Sequence, residues 1–370
     1  MAQRILQFGT SRFLQAHADL FVHQARQAGQ DIGPITVVKI SPGTDRIGRL
    51  AHLAQGYPVI IRGLVAGQTV EETHHVTSIT ATLNAADDWP RLLRLFASET
   101  EVVVSNVGET GYDIPAQDRG LTYADPGIPH SFPGKLLALL IARYHAGGQP
   151  LLILPCELVA MNGTVLRAIL TTLATEWQAP AAFLDWLAGS VTLCNTLVDR
   201  IVPTALDPVG AIAEPYALWA IECPPGVTLP LTHPAIIATA DLQPYLRLKL
   251  HILNLGHTWL AQIWLTQGRN PQETVREILC DPVIRASLLS LYADEIVPGF
   301  AAHGMADAAR SYASAVMDRF DNPFLAHPLR DIAQNHQAKV DRRCGAFLDW
   351  VATGDAAPAM PRLTQLGKTR

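Results

Sequence analysis

Four of the seven residues in Glu101–Val107 are valine. A run this apolar and β-branched reads as a strand buried on both faces, which is the environment of a parallel sheet covered by helices. Its neighbours agree. Arg4–Phe8 is a compact strand pattern running into Gly9, Ile35–Ile40 is a second one closed by Ser41-Pro42-Gly43, and Leu151–Leu154 is a third. Helical spacing of apolar residues separates them over Phe13–Ala28, Trp89–Ala97 and Leu136–His145. Val59–Val65 and Val70–Thr80 suit a strand pair. Strands alternating with helices predict an α/β fold with a Rossmann-like, doubly wound sheet. Ligands of such a sheet bind at the carboxyl ends of its strands.

The pattern changes after Pro203. Residues 205–235 are rich in Pro and Gly and read as an irregular or mixed connector. Helical patterns then follow over Leu242–Thr266, Pro271–Leu279, Pro282–Val297, Ala306–Asp318 and Pro328–Val351. Two domains are expected: residues 1–203 as the nucleotide-binding sheet, and residues 204–370 as a mainly α-helical substrate and catalytic domain. With 49% hydrophobic and 16% charged residues in a chain of 370, there is material for two cores. The net charge of -5 argues against a polyanion surface, so nucleic acid is not an expected partner. No apolar run reaches the roughly 18 residues of a membrane span. The opening Met1-Ala2-Gln3-Arg4 has no secretory pattern. The five cysteines are scattered without a CxxC pair, which favours a reduced, cytoplasmic setting and no metal role. The expected assembly is a monomer or small homo-oligomer.

A strand, a glycine and a helix at the start of such a sheet is where a dinucleotide pyrophosphate is held. Phe8-Gly9-Thr10-Ser11-Arg12-Phe13 has this form, with one glycine where the usual pattern has three. Ser11 stands in for the second glycine, with a hydroxyl suited to a phosphate oxygen, and Arg12 adds charge. The same residues also suit an ordinary strand-to-helix turn. Asn106, closing the valine-rich strand, joins Phe8, Gly9, Thr10, Ser11, Arg12 and Phe13 as a cofactor candidate. The second strand ends Val38-Lys39-Ile40-Ser41 without a carboxylate for a ribose, while Asp45 follows in the turn and Lys39 and Arg46 suit a 2′-phosphate. NAD is expected, with NADP left open.

The segment Leu248 to Thr258 sets Lys249, Asn254 and His257 in an almost wholly apolar helix. At ~100° per residue, Asn254 lies about 140° and His257 about 80° from Lys249, so the three share one side, with the histidine between. A lysine on an apolar face is costly to keep charged and is suited to take a proton from an alcohol. An asparagine amide polarises the carbonyl oxygen formed, and a histidine bonds a neighbouring hydroxyl. The alternative is a snorkelling lysine, a core asparagine and a satisfied core histidine.

Lys249, Asn254 and His257 follow the spacing K-x-x-x-x-N-x-x-H, in which the chain resembles the polyol-specific long-chain (mannitol) dehydrogenases. Gly9-Thr10-Ser11-Arg12-Phe13 resembles that family's G-x-G-x-F opening, Asn195 to Val202 its N-[ST]-[LM]-V-D-R-I stretch, and Arg319-Phe320-Asp321-Asn322-Pro323 its R-F-x-N-P block. Ser131 to Leu136, and Leu154-Pro155-Cys156-Glu157-Leu158 through Asn162-Gly163, are similar to the tagaturonate reductase (altronate oxidoreductase) branch, whose members are longer. The resemblance implies NAD-dependent, metal-independent interconversion of a hydroxyl and a ketone on an open-chain sugar acid or polyol. Lys249 would be the general acid/base, with Asn254 and His257 on the substrate oxygens. Asp199, Arg200, Arg319, Asn322 and His327 would contact substrate, the arginines through a carboxylate. Mannitol dehydrogenases have C-D-N where this chain has Cys156-Glu157-Leu158, so Asn254 would serve the reacting oxygen alone or with another donor. A phosphorylated-polyol (mannitol-1-phosphate type) dehydrogenase and a non-catalytic sugar or nucleotide sensor are the alternatives.

Overall fold

The computed structural model describes residues 3–40, 47–108 and 110–368. Asp45 and Arg46 lie outside them. The chain divides into two compact units. The first comprises residues 1–60, 72–213 and 217–242, and the second 61–71, 214–216 and 243–370. The first therefore runs past the expected boundary at residue 203, and the second begins with short excursions of the chain.

Six strands build the main sheet of the first unit: β1 (Gln3–Phe8), β2 (Ile32–Lys39), β3 (Ile79–Asn84), β4 (Val102–Ser105), β5 (Leu151–Pro155) and β6 (Val191–Leu193). Their order is β3-β2-β1-β4-β5-β6 and every pairing is parallel. This is the doubly wound dinucleotide-binding order, in which the winding reverses between β1 and β4. All four β4 residues are buried, as the valine run requires. Helices Trp89–Ser98, Phe132–His145 and Asn162–Glu176 bring Phe96, Leu136, Leu140 and Leu170 into one core with Phe8 and Val103.

One expectation needs correction here. Ile79 and Thr80 do not continue the strand pair, which consists of Tyr57–Val65 and Gln68–Val76; they open β3. Residues 205–235, read as irregular or mixed, contain short strands. Thr204–Ala205 pairs with Ala211–Ala213, and Leu218–Glu222 lies between Asn195–Asp199 and Ile236–Thr239 in a three-stranded sheet. These strands are too short and too broken by Pro and Gly to show a period.

From Gln243 onward the described residues are helical or looped, around a core that includes Ile252, Leu260, Leu288, Phe300, Val316 and Phe347. Among the described residues no helix is long and apolar enough to cross a membrane.

Candidate functional site

The first unit gathers its polar side chains where the winding reverses. Gly9 follows β1 with φ +113, and a Cβ there would stand 2.4 Å from the Asn106 carbonyl oxygen. Glycine is thus required twice, by the left-handed backbone and by the close approach of the loops after β1 and β4. Ser11 caps the helix Arg12–Gln15 by accepting from Leu14 N at 3.2 Å, and donates to Asn106 Oδ1 at 3.0 Å. Its hydroxyl, expected on a phosphate, is thus occupied as a cap and loop tie. Asn106 Nδ2 donates to the Cys156 carbonyl at 2.8 Å, so one amide joins the ends of β1, β4 and β5. Phe8 is fully buried beneath the turn, whereas Thr10, Arg12 and Phe13 are partly or fully exposed on it. Lys39 is only 3% exposed at the end of β2. The bare Gly9 backbone between two strand ends is a cradle a side chain would fill, and it fits the pyrophosphate of a dinucleotide.

Sequence reasoning did not single out Glu157 or Asn162 as polar anchors. The buried Glu157 carboxylate accepts from Val107 N at 3.1 Å, Ser105 Oγ at 3.1 Å and Tyr112 Oη at 3.0 Å. Burial pushes its pKa up against the pull of these donors. Glu157 therefore braces the loop after β4. Asn162 accepts from Thr196 N at 2.8 Å and donates to the Pro155 and Glu157 carbonyls at 3.1 and 3.2 Å. The adjoining Gly163 admits the Cys194 carbonyl, whose oxygen would lie 2.4 Å from a Cβ. The Asn162-Gly163 and Asn195-Thr196 motifs thus lock helix to strand. Leu158, between these anchors, is 68% exposed. Arg200 Nη1 donates to the Ala16 carbonyl at 2.7 Å, behind the glycine turn, and Asp199 is buried at the end of its strand.

In the second unit a continuous helical stretch runs from Gln243 to Gln267, and its middle, Lys249–Asn254, is π-helical. The angles expected of a uniform α-helix do not hold across it. Bonds from i to i+5 widen the turn, so five positions span little more than one turn and Asn254 lies closer in angle to Lys249 than the 140° of a uniform α-helix. His257, three residues further in α-helix, is the next neighbour along that face. Lys249 and Asn254 are half-buried and His257 is buried.

The His257 ring lies 4.6 Å from Phe320 and 4.8 Å, edge-on, from His327. Two separate motifs thus meet at one histidine. The His327 backbone is fixed by Val275 N donating to its carbonyl at 3.0 Å. Burial lowers the His327 pKa, favouring the neutral ring. Arg319 and Asn322 are committed elsewhere. Arg319 grips Glu214 through Nε at 3.0 Å and Nη2 at 2.8 Å and lies 4.4 Å over the Tyr216 ring. Asn322 Oδ1 accepts from Phe324 N at 2.9 Å and its Nδ2 donates to the Arg62 carbonyl at 3.5 Å. Nothing in the sequence pattern marks Glu214, which comes from the stretch read as a connector. Among the described residues no three His, Cys, Asp or Glu side chains gather as a metal site.

The mannitol dehydrogenase Rossmann domain matches residues 3–230, and the mannitol dehydrogenase C-terminal domain matches residues 241–353. An altronate oxidoreductase of Halalkalibacterium halodurans is 32% identical over 97% of this chain and 73% of its own length. One of Klebsiella pneumoniae is 34% identical over 92% of this chain and 73% of its own length. Among solved structures, a D-sorbitol dehydrogenase in substrate-free form superposes with a TM-score of 0.79 at 20% identity, over 94% of this chain and 75% of that one. The Pseudomonas fluorescens mannitol 2-dehydrogenase ternary complex with NAD and D-mannitol gives 0.72 at 22% identity, over 99% and 77%.

Proposed function

The chain belongs to the mannitol dehydrogenase family, and we propose that it interconverts the ketone of an open-chain hexuronate and the secondary alcohol of the matching aldonate, as a tagaturonate/altronate-type enzyme. It is an NAD-dependent dehydrogenase acting on CH–OH groups of a polyol or sugar acid. The finer reading draws its substrate class from the relatives named altronate oxidoreductase. Its chemistry is supported by one observation, the π-helical turn Lys249–Asn254 running directly into the α-helix that bears His257.

NAD, when bound, would supply the hydride acceptor for the carbinol carbon, and NADH the donor in the reverse direction. The protein's part is to manage the oxygen. In oxidation Lys249 Nζ takes the hydroxyl proton; in reduction it returns a proton to the oxygen as negative charge develops there. Asn254, one turn above, donates an amide N–H to the same oxygen, for which that charge makes the bond stronger in the transition state than in the ground state. His257 bonds the adjacent hydroxyl and is held by its contacts with Phe320 and His327. Gly9, with Ser11 and Asn106 supporting the turn, would hold the pyrophosphate. Of the proposed substrate contacts, His327 has the strongest support. Asp199 stands at a strand end, Arg200 is tied to the Ala16 carbonyl, and Arg319 and Asn322 frame the second unit through Glu214 and Arg62.

The test is NADH consumption against tagaturonate, fructuronate, fructose and fructose 6-phosphate, with NADPH in parallel. Turnover on a hexuronate with NADH is expected, and Lys249→Ala should lower it by several orders of magnitude while NADH still binds. A preference for fructose or its phosphate would replace the substrate assignment. A Lys249→Ala enzyme with near-normal turnover would remove the lysine from the chemistry.

A further inference from the structure

The π turn has a dedicated support. Two further π-helical segments, Tyr292–Ile296 and Asp341–Gly345, pack against Lys249–Asn254, and each sends one side chain to its backbone. The buried Tyr292 hydroxyl donates to the Ile252 carbonyl at 3.0 Å. Arg343 Nη1 donates to the Asn254 carbonyl at 3.0 Å and to Thr258 Oγ1 at 2.9 Å, and that hydroxyl donates to the same carbonyl at 3.0 Å. The chain answers in return, with His251 Nδ1 bonded to the Arg343 carbonyl at 2.9 Å. Gly256 completes the arrangement. A Cβ on it would meet the Tyr292 oxygen at 2.0 Å, so only glycine lets the hydroxyl reach Ile252. Burial raises the tyrosine pKa far above its usual range, keeping it a donor.

We propose that Tyr292 and Arg343, with Gly256 as the necessary gap, are positioning residues that hold Lys249–Asn254 in its i→i+5 register and so keep Lys249 and Asn254 on one face. An unsupported turn returns toward α spacing, which rotates Asn254 by about 140° from Lys249. The side chains would survive such a change and their alignment would not. This rests on the reading that Lys249 and Asn254 handle the reacting oxygen.

The experiment compares Tyr292→Phe, Arg343→Met and Gly256→Ala with Thr274→Ala. The last removes an exposed helix cap in the same unit and controls for lost stability, since a cap is worth about 1 kcal/mol. For each, kcat, KM, NADH affinity and melting temperature are measured on the full chain. Misplacement by an ångström costs about a hundredfold in rate. The expected result is a kcat lowered roughly 10- to 100-fold in all three, with KM and NADH affinity within about twofold, and wild-type kcat in Thr274→Ala. Wild-type kcat in Tyr292→Phe and Gly256→Ala overturns the proposal. So does a loss matched by Thr274→Ala at equal destabilisation, or one that falls on KM and NADH affinity instead. If Lys249→Ala is inactive while these variants are normal, the positioning role alone fails; if Lys249→Ala is active, the parent reading fails.

Discussion

Removing the Glu214 carboxylate should be among the most damaging single changes available in the second unit. Glu214 and Arg319 meet fork to carboxylate, with side chains 2% and 3% exposed. An exposed pair of this kind contributes about 0–1 kcal/mol, but here both charges are out of water. Glu214→Ala leaves a guanidinium buried against a hole, for which breaking one side of a buried pair costs about 3–5 kcal/mol. The Tyr216 ring, 4.4 Å from the guanidinium, offsets about a fifth to a third of that through its cation–π attraction, worth about 1 kcal/mol. A loss of about 3 kcal/mol is therefore expected, or roughly 10 °C in melting temperature for a unit of this size. Urea titration followed by tryptophan fluorescence measures it, the midpoint carrying the change if the slope is constant. Glu214→Leu combined with Arg319→Met should recover most of the stability, because the cost lies in the stranded charge rather than in the lost attraction. A loss under about 1 kcal/mol, or a double variant no better than the single one, would refute the reasoning.

Two predictions concern the first unit. Gly9→Ala forces a Cβ to within 2.4 Å of the Asn106 oxygen at a φ of +113, so NADH affinity, followed by fluorescence, should fall by at least about tenfold; unchanged affinity would show that the turn does not hold the cofactor. Asp19 is buried, and burial raises its pKa to about 7 despite the Tyr57 hydroxyl donating to it at 2.8 Å. Its folded pKa exceeds its unfolded one, so the folded state binds the extra proton. The resulting stability is complete below pH 4 and is lost as pH rises through about 7, by up to about 4 kcal/mol. Asp19→Asn should flatten thermal stability between pH 4 and 8, and a pH slope equal to that of the parent protein would rule Asp19 out as its source.

The sheet was legible because burial on both faces leaves its mark on single segments: Glu101–Val107 contains β4 almost residue for residue, and Arg4–Phe8 contains most of β1. The strands between residues 204 and 239 were not, since two to five residues interrupted by Pro and Gly carry no period. The site divides along the same line. Lys249, Asn254 and His257 were visible because polar groups stand out on an apolar helix, and Gly9 because strand, glycine and helix occur in sequence. Glu214 was invisible, since a buried carboxylate declares itself only through its partner, and Arg319 lies 105 positions away. Most instructive is the π turn. Spacing alone put Asn254 some 140° from Lys249, and local propensity gives no reason to depart from α geometry. The departure is supported by donors 40 and 89 positions along the chain, Tyr292 to Ile252 and Arg343 to Asn254. A motif read from sequence therefore names the proposed reacting groups, while the backbone turn that carries two of them is bonded by tertiary partners that the motif does not contain.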